Sequence, residues 1–331
     1  MKNKIIKYID LFCGIGGFRV AIERVSKRYG LKSKCVFSSD IDKECQRAYQ
    51  ANFGETPFGD IKMINENKIP YHDLLMAGFP CQPFSIIGNG KGFEDIRGTL
   101  FFEIARILKA KKPRAFLLEN VKQLKGHQKG YTLERIMETL RSLGYYCDYK
   151  ILNALEFGLP QKRERIFIVG FLENVPFYWP NGGKPMKPLT QILEKNVSKK
   201  HFVSDYVRKK RLAKKNSNLS PSIWHENKAG HIGIYPFSCA LRANASHNYL
   251  LVDGIRRLTP REMMRLQGFP DSFKIVCAYG QTRKQAGNAV PVPVVEVVLA
   301  QIFDALEITP RHIAHREPRN NSNLKILEVS K

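Results

Sequence analysis

A cysteine between two prolines is the residue best suited to chemistry in this 331-residue sequence. It is Cys81 in the stretch MAGFPCQPFS, just beyond an apolar run at residues 74–77 that predicts a buried strand. A structural cysteine would normally pack inside such a run as a small hydrophobic residue. Pro80 and Pro83 restrict the backbone on both sides, which fixes the direction of the thiol. The pattern is typical of a nucleophile presented at the end of a strand.

A carboxylic acid and two arginines stand near the ends of further predicted strands. Glu119 directly follows FLL in AFLLENV, where it is either a solvated strand end or a functional acid with partners. Arg163 and Arg165, in QKRERIFIVG, alternate so that both point to one side. A thiolate beside a carboxylic acid suits covalent catalysis, in which the thiolate adds to an electrophilic carbon and the acid supports the developing charge.

The glycine-rich turn DLFCGIGGF follows a predicted strand at residues 4–12 and precedes a predicted helix at 18–28. Gly14 and Gly16 let the backbone approach a ligand, which the helix N-terminus then helps to hold. A plain structural turn is the competing interpretation. The dinucleotide pattern GxGxxG is not completed, because Arg19 stands where its third glycine would fall. A pyrophosphate site is therefore not expected.

Two acids outline a nucleoside pocket beside this turn. Asp40 ends the second β-type run, where a carboxylate can accept hydrogen bonds from both hydroxyls of an adenosine ribose. Asp60, in FGDIK, is placed to meet an adenine amino group. Either acid alone is more often a turn or cap residue. Together with the glycine turn they favour a ligand that has adenosine but no pyrophosphate, which is S-adenosylmethionine.

The charge of the chain points to a polyanionic partner. The formal net charge is +24, and residues 195–215 hold nine Lys or Arg against the single acid Asp205. With no apolar run near the ~20 residues of a membrane helix, nucleic acid is favoured over membrane. Seven cysteines without a CxxC pair argue against a disulfide framework or a zinc site, and no secretory signal is evident. We expect a cytoplasmic protein.

The first 170 residues alternate strand and helix patterns, which predicts an α/β fold with a doubly wound, mostly parallel sheet. Helices are expected at residues 100–109 and 133–143. From about residue 171 to 254 the chain is rich in Lys, Asn, Ser, Pro and Gly and has no clear alternation of helix and strand patterns. A helix then begins with Thr259 as N-cap and Pro260 at its first position, and another is expected at 291–305.

Seven motifs resemble, in their usual order, those of the cytosine-C5 DNA methyltransferase family of bacterial modification enzymes. They are DLFCGIGGF, FGDI, GFPCQPFS, ENV, QKRERIFIVG, RRLTPREMMRLQGFPDSF and GNAVPVPVVEVV. The resemblance implies an S-adenosylmethionine-dependent methyltransferase sheet with a smaller, irregular target-recognition domain. The implied divisions are a catalytic and cofactor-binding domain at 1–171, a target-recognition domain at 172–256, a return segment at 257–310 whose last helix rejoins the catalytic domain, and a flexible tail at 311–331.

The resemblance also implies roles for individual residues. Cys81 would be the nucleophile, Glu119 would act at cytosine N3, and Arg163 and Arg165 would hold the base and the catalytic geometry. The cofactor pocket would be lined by Gly14, Gly16, Phe18, Asp40, Ile41, Asp60 and Pro80, with Asn288 closing it. Ser85 and Arg97, beside or within a loop that closes over DNA, would contact DNA, as would Arg242, Asn244 and His247 in a recognition core at 231–251. Many relatives carry Thr-Leu where Ala240-Leu241 stands here.

The expected activity is therefore sequence-specific methylation of double-stranded DNA by a monomer that flips its target cytosine, using S-adenosylmethionine and no metal. A separately encoded restriction endonuclease would accompany it. Three alternatives remain open. A tRNA cytosine-C5 methyltransferase would share the catalytic pieces, and a silent nucleic-acid-binding module would be expected to lack Cys81 or Glu119. A nicotinamide-dependent dehydrogenase would share the sheet, but Arg19 breaks its glycine fingerprint.

Overall fold

The computed structural model describes residues 5–80 and 100–308 of the chain. Cys81, Ser85, Arg97 and the tail at 311–331 lie outside these residues. The strands of the described part are β1 (Ile5–Leu11), β2 (Lys32–Ser39), β3 (Leu74–Gly78), β4 (Ala115–Val121), β5 (Tyr146–Asn153), β6 (Gln161–Lys162), β7 (Glu164–Phe171), β8 (Ile223–Glu226), β9 (Ile232–Tyr235), β10 (Ser238–Cys239), β11 (Leu250–Val252) and β12 (Arg256–Arg257). The α-helices are α1 (Gly17–Arg28), α2 (Lys43–Phe53), α3 (Leu100–Lys111), α4 (Tyr131–Ser142), α5 (Asp205–Leu212), α6 (Pro260–Gln267), α7 (Tyr279–Asn288) and α8 (Val292–Ala305).

A six-stranded sheet forms the centre of the molecule, in the order β2-β1-β3-β4-β7-β5. The first four of these strands pair in parallel, whereas β7 runs antiparallel to both of its neighbours. Residues of α1 and α8 pack on one face of the sheet, and residues of α3 and α4 pack on the other. The prediction of a doubly wound, mostly parallel sheet is confirmed.

The reversed direction of β7 brings its first residues to the edge where β3 and β4 end. Glu119 on β4 lies opposite Phe167, and Val121 lies opposite Arg165. Residues opposite each other in an antiparallel pair point to the same face of the sheet, and alternate residues share that face. Glu119 and Arg165 are therefore diagonal neighbours on one face.

The expected helices at 18–28, 100–109, 133–143 and 291–305 are observed as α1, α3, α4 and α8. The start of α6 is also as predicted. The Thr259 hydroxyl accepts a hydrogen bond from the Glu262 amide, and the Glu262 carboxylate accepts one from the Thr259 amide. This reciprocal capping box fixes the first turn of the helix.

The region between residues 172 and 256 contains a second sheet that the sequence pattern did not indicate. Its strand order is β12-β11-β8-β9, with antiparallel pairing throughout. These strands are only two to four residues long, which is too short for a clear alternation of apolar and polar residues. The buried Gln161 joins this region to the rest of the chain, because its side chain accepts a hydrogen bond from the Leu241 amide and donates one to the Leu266 carbonyl.

The stretch Tyr279–Ala305 is long and apolar enough to cross a membrane, judged by length and composition alone. It consists of two helices, because α7 ends at Asn288 and α8 begins after Pro291. Its most apolar window is 61% buried inside the protein. Arg24 of α1 also pairs with Glu296 of α8 at 2.9 Å. The stretch is thus part of the core that covers one face of the sheet.

Candidate active site

The glycine turn between β1 and α1 combines one tightly packed glycine with one open glycine. Both Gly14 and Gly16 have positive φ angles, 54° and 84°. A Cβ atom on Gly16 would lie 2.3 Å from the Phe53 ring, so the packing of α2 requires glycine there. A Cβ on Gly14 would have no atom within 4 Å. Gly14 therefore borders open space at the carboxyl edge of the sheet.

Asp40 fixes this turn to the end of β2. One carboxylate oxygen of Asp40 accepts a hydrogen bond from the Gly14 amide at 2.7 Å, and the other accepts one from the Asp42 amide at 2.8 Å. Burial raises the pKa of Asp40 above its ordinary value, although these two amides act in the opposite direction. The carboxylate thus has backbone partners and still has lone pairs available for further donors.

Three more of the predicted pocket residues surround this edge. The Ile41 side chain is 72% exposed, which leaves an apolar surface directly beside Asp40. Asp60 is half-buried and caps a short helical turn by accepting a hydrogen bond from the Lys62 amide at 3.0 Å. Phe18 is buried in the first turn of α1, and its ring would lie 3.6 Å from a Cβ on Gly78.

The turn that leads to Cys81 is held by Asn120, a residue that sequence reasoning missed. The buried Asn120 amide donates a hydrogen bond to the Phe79 carbonyl at 3.0 Å. Pro80 follows Phe79 and is exposed at the end of the described segment. The available signal was a second polar residue in the apolar run AFLLENV. Asn120 therefore anchors the backbone two residues before Cys81.

A buried ion pair lies at the same edge of the sheet. Glu119 is only 8% exposed, and its carboxylate oxygen Oε1 is 3.0 Å from Nε of Arg165. Burial raises the pKa of Glu119, while the positive charges of Arg165 and Arg163 act to lower it. Oε2 of Glu119 would be 3.6 Å from a Cβ on Gly78, the last residue of β3. Glu119 thus combines a raised pKa with a position beside the strand that leads to Cys81.

Arg163 is near this pair but uses its donors elsewhere. Its guanidinium donates to the Leu241 carbonyl at 3.1 Å, to the Gly287 carbonyl at 3.0 Å and to the Ala289 carbonyl at 2.7 Å. Burial lowers the pKa of Arg163 to about 9, so the side chain remains charged at neutral pH. Arg165 is in contact with Glu119. Arg163 instead joins the central sheet to two segments that are distant in the sequence, at residues 241 and 287–289.

Replacing Arg163 with methionine is expected to lower the free energy of unfolding by about 3 kcal/mol or more, because three partly or fully buried carbonyls would lose a charged donor. Urea unfolding monitored by circular dichroism would measure the change. The control is Arg28→Met, which removes a half-exposed guanidinium from Glu296 and should cost less than about 1 kcal/mol, because Glu296 keeps its ion pair with Arg24. Equal losses in the two variants would contradict the assignment.

Residues of the return segment at 257–310 pack against this site. Asn288, the predicted closing residue, is the exposed last residue of α7. The side chain of Val290 would lie 2.6 Å from a Cβ on Gly17 and 3.8 Å from one on Gly78. The segment around Asn288 therefore packs directly against the glycine turn and against the end of β3.

Arg19, at the third position of the dinucleotide pattern, has a structural role. Its guanidinium makes hydrogen bonds to both carboxylate oxygens of Glu55, at 2.8 and 3.3 Å, and one to the Glu23 carboxylate at 2.9 Å. It also lies over the Phe53 ring, 4.6 Å from the centroid. These contacts connect α1 to α2.

The predicted DNA-contacting residues of the described part lie on one exposed loop, residues 241–249, here called the recognition loop. Arg242, Asn244 and His247 are all exposed. The Arg242 guanidinium lies over the Tyr249 ring at 4.9 Å, and the Arg242 amide donates to the Tyr249 hydroxyl at 2.8 Å. The loop is therefore closed by Tyr249, and its polar side chains face solvent.

Comparison with known proteins identifies the family of the chain. The sequence model described as C-5 cytosine-specific DNA methylase matches residues 6–304. The chain belongs to this family. Members of the C-5 cytosine-specific DNA methylase family catalyse methyl transfer, and this protein is a DNA (cytosine-5-)-methyltransferase. The resemblance inferred from the seven motifs is confirmed.

Individual type II methyltransferases are similar over almost the whole chain. The type II methyltransferase M.NgoBI of Neisseria gonorrhoeae is 57% identical over 293 residues, which are 88% of this chain and 90% of the relative. M.HaeII of Haemophilus aegyptius is 52% identical over 313 residues, which are 94% of this chain and 96% of the relative. The fold also matches the crystal structure of a Spodoptera frugiperda DNMT2 variant, with a TM-score of 0.70, 21% identity, and coverage of 90% of this chain and 99% of that one.

Proposed function

We propose that this methyltransferase attacks C6 of a flipped cytosine with Cys81 and uses Glu119 as the acid at N3. The observation that carries the proposal is the buried Glu119–Arg165 pair, 3.0 Å apart, beside the end of the strand that leads to Cys81. Asn120 anchors the Phe79 carbonyl at 3.0 Å, which fixes the backbone two residues before the proposed nucleophile. A nucleophile and an acid on adjacent strand ends suit covalent catalysis on a small planar ring.

In the proposed reaction, addition of the thiolate to C6 precedes methyl transfer and its elimination follows. The Cys81 thiolate forms a bond to C6, and the electron pair of the C5–C6 double bond is displaced through the ring while Glu119 donates a proton toward N3. The resulting enamine makes C5 nucleophilic, and C5 forms a bond to the methyl carbon as the methyl–sulfur bond of the donor breaks with its electron pair left on sulfur. A base removes the C5 proton, the C5–C6 double bond re-forms, the thiolate leaves and the N3 proton returns to the Glu119 carboxylate. Arg165 holds the Glu119 carboxyl group and stabilises its negative charge after the proton has moved.

The described residues at the glycine turn fit S-adenosylmethionine. Gly14 borders open space, Asp40 offers acceptor oxygens, and Ile41 exposes an apolar surface on which an adenine can pack. We assign Asp40 to the ribose hydroxyls and Asp60 to the adenine amino group, with Gly16, Phe18, Pro80 and Asn288 completing the pocket. When bound, S-adenosylmethionine supplies an electrophilic methyl group.

Replacing Asp40 with alanine is expected to weaken binding of S-adenosylmethionine by about 10- to 100-fold, because hydrogen bonds to a carboxylate are lost on the ligand and on Gly14. Isothermal titration calorimetry would measure the dissociation constant. Asp271→Ala serves as the control, since it removes an exposed carboxylate that pairs with Arg265 at 2.8 Å. Unchanged affinity in the Asp40 variant would remove that residue from the pocket.

The target base must leave the duplex, because C6 is inaccessible to a thiolate within a stacked helix. We propose that the region at 172–256 grips double-stranded DNA and that the return segment at 257–310 completes the catalytic domain. Arg242, Asn244 and His247 are exposed on a loop held by Tyr249, which supports contact with base edges or phosphates. Ser85 and Arg97 are proposed to reach the DNA from the catalytic side.

The biological role is proposed from the relatives. M.NgoBI and M.HaeII are named type II methyltransferases, which supports a role as the modification half of a restriction-modification system. We infer a cytoplasmic monomer that acts on DNA beside a separately encoded endonuclease.

Single-base mapping of 5-methylcytosine tests the proposal. DNA and transfer RNA would be sequenced from cells that express the protein and from cells that carry the empty vector. The expected result is one recurrent methylated DNA motif that is present only with the protein. Methylation restricted to transfer RNA would assign the enzyme to the alternative substrate, and methylation of neither nucleic acid would contradict the proposed activity.

A further inference from the structure

Helix α7 contacts the edge of the proposed cofactor pocket on one side. Lys284 of α7 forms an ion pair with the Asp42 carboxylate at 2.8 Å, and Gln281 donates to both oxygens of the same carboxylate at 3.3 and 3.4 Å. One turn further along the helix, Gln285 donates to the Glu44 carbonyl at 3.0 Å. These contacts hold α7 against the first turn of α2, which Asp42 caps.

The other side of α7 contacts the recognition loop. The Arg283 guanidinium donates to the Ala245 carbonyl at 2.5 Å, and the Tyr279 ring lies 6.2 Å from the His247 ring. A Cβ on Gly287 would lie 2.4 Å from the Ala243 amide nitrogen, so the two backbones touch at that point. Neighbouring residues 283 and 284 of one helix therefore bind the recognition loop and the cofactor edge.

Asp42 is connected to the residue that we assign to the cofactor ribose. Its backbone amide donates to the Asp40 carboxylate at 2.8 Å, while its side chain holds Lys284. Burial acts to raise the pKa of Asp42, but the Lys284 ammonium group and the amides of α2 outweigh it and the pKa is lowered. A ribose hydroxyl that donates to the Asp40 carboxylate would bind the same group as the Asp42 amide does. A ligand in the pocket would thus affect the position of Asp42 and, through it, of Lys284 on α7.

We propose that α7 is a positioning element that couples the cofactor pocket to the recognition loop, with Lys284–Asp42 and Arg283–Ala245 as its two connections. The inference rests on the proposed function, because it assigns Asp40 to the cofactor and the recognition loop to DNA. Coupling of this kind is reciprocal: a cofactor that strengthens DNA binding is itself bound more tightly when DNA is present. Lys284 and Arg283 are positioning residues in this arrangement and touch neither substrate.

The test measures a ratio rather than an affinity. The dissociation constant of a duplex that carries the mapped target motif would be determined by fluorescence anisotropy, without and with saturating S-adenosylhomocysteine. We expect the dissociation constant without S-adenosylhomocysteine to be at least about fivefold larger than the constant with it in the unmodified protein. Lys284→Met should lower this ratio by about two- to fivefold, because exposed ion pairs shift equilibria by that order. Lys284→Arg keeps the positive charge and should keep the ratio of the unmodified protein. Lys27→Met removes one exposed charge on α1 and should also leave the ratio unchanged.

A variant of the second connection makes the test independent of any single substitution. Arg283→Met should lower the same ratio, and the double variant should lose no more than the more severe single variant, because the two connections act in series. Unchanged ratios in both single variants, or a target-binding protein without any cofactor effect, would overturn the coupling and leave the proposed function intact. Absence of target methylation in the mapping experiment would overturn the proposed function, and the coupling with it.

Discussion

Methyl transfer is expected to fall by at least about 10⁴-fold when Cys81 is replaced with serine, as is typical when a covalent nucleophile is removed. The thiolate is the attacking species, and a serine hydroxyl stays protonated at neutral pH. The anchor of the preceding turn, Asn120 on the Phe79 carbonyl, is untouched by this change. Single-turnover transfer of a radiolabelled methyl group to the target duplex would measure the rate, and anisotropy would verify that DNA is still bound.

The matched control for this prediction is Cys147→Ser. Cys147 is a half-buried cysteine on the edge strand β5, so its replacement tests the same chemical change away from the proposed site. Its methylation rate should stay close to that of the unmodified protein. A serine variant at position 81 that keeps more than about one tenth of the rate would refute covalent attack by that residue.

Replacing Glu119 with glutamine is expected to lower the rate of methyl transfer by about 10²- to 10³-fold, because an amide cannot donate a proton as a carboxylic acid does. The folded-state pKa of Glu119 is raised by burial, so the proton is retained to a higher pH than in an exposed glutamate. Activity of the unmodified protein should therefore fall as the pH rises through this pKa. The residual activity of the glutamine variant should lack that limb of the pH–rate profile.

Glu164→Gln provides the comparison for Glu119. Glu164 lies on β7 next to Arg165, and its carboxylate pairs with Lys122 in a more exposed position. This variant should keep the alkaline limb and most of the rate. An identical pH profile for the Glu119 variant and the unmodified protein would show that Glu119 is not the proton donor.

Local sequence patterns predicted the elements whose formation depends on residues close together in the sequence. The apolar face of α1 and the N-cap of α6 depend on residues a few positions apart, so both were predicted from the sequence. Strand β5 was not predicted, because this edge strand mixes half-buried and exposed residues without a clear alternation. The second sheet has strands too short to show a period.

Residue types identified much of the site, but contacts between distant residues did not follow from them. The pairing of Glu119 with Arg165 required knowing that β7 runs antiparallel to β4. The partners of Arg163 are 78, 124 and 126 residues away in the chain, and they are backbone carbonyls. A carbonyl has no sequence signature, so no pattern could have separated the role of Arg163 from that of Arg165.

The three carbonyls on Arg163 have a consequence for how the molecule unfolds. One carbonyl belongs to the recognition loop, one to the last turn of α7 and one to the segment between α7 and α8, while the arginine itself precedes β7 of the central sheet. Loosening any one of these segments takes an acceptor away from the buried Arg163 charge, which the remaining carbonyls still hold in place. The region at 172–256 is therefore tied into the cooperative unit of the central sheet, and an exchange of target specificity between relatives would have to preserve the backbone at Leu241 that this single guanidinium binds.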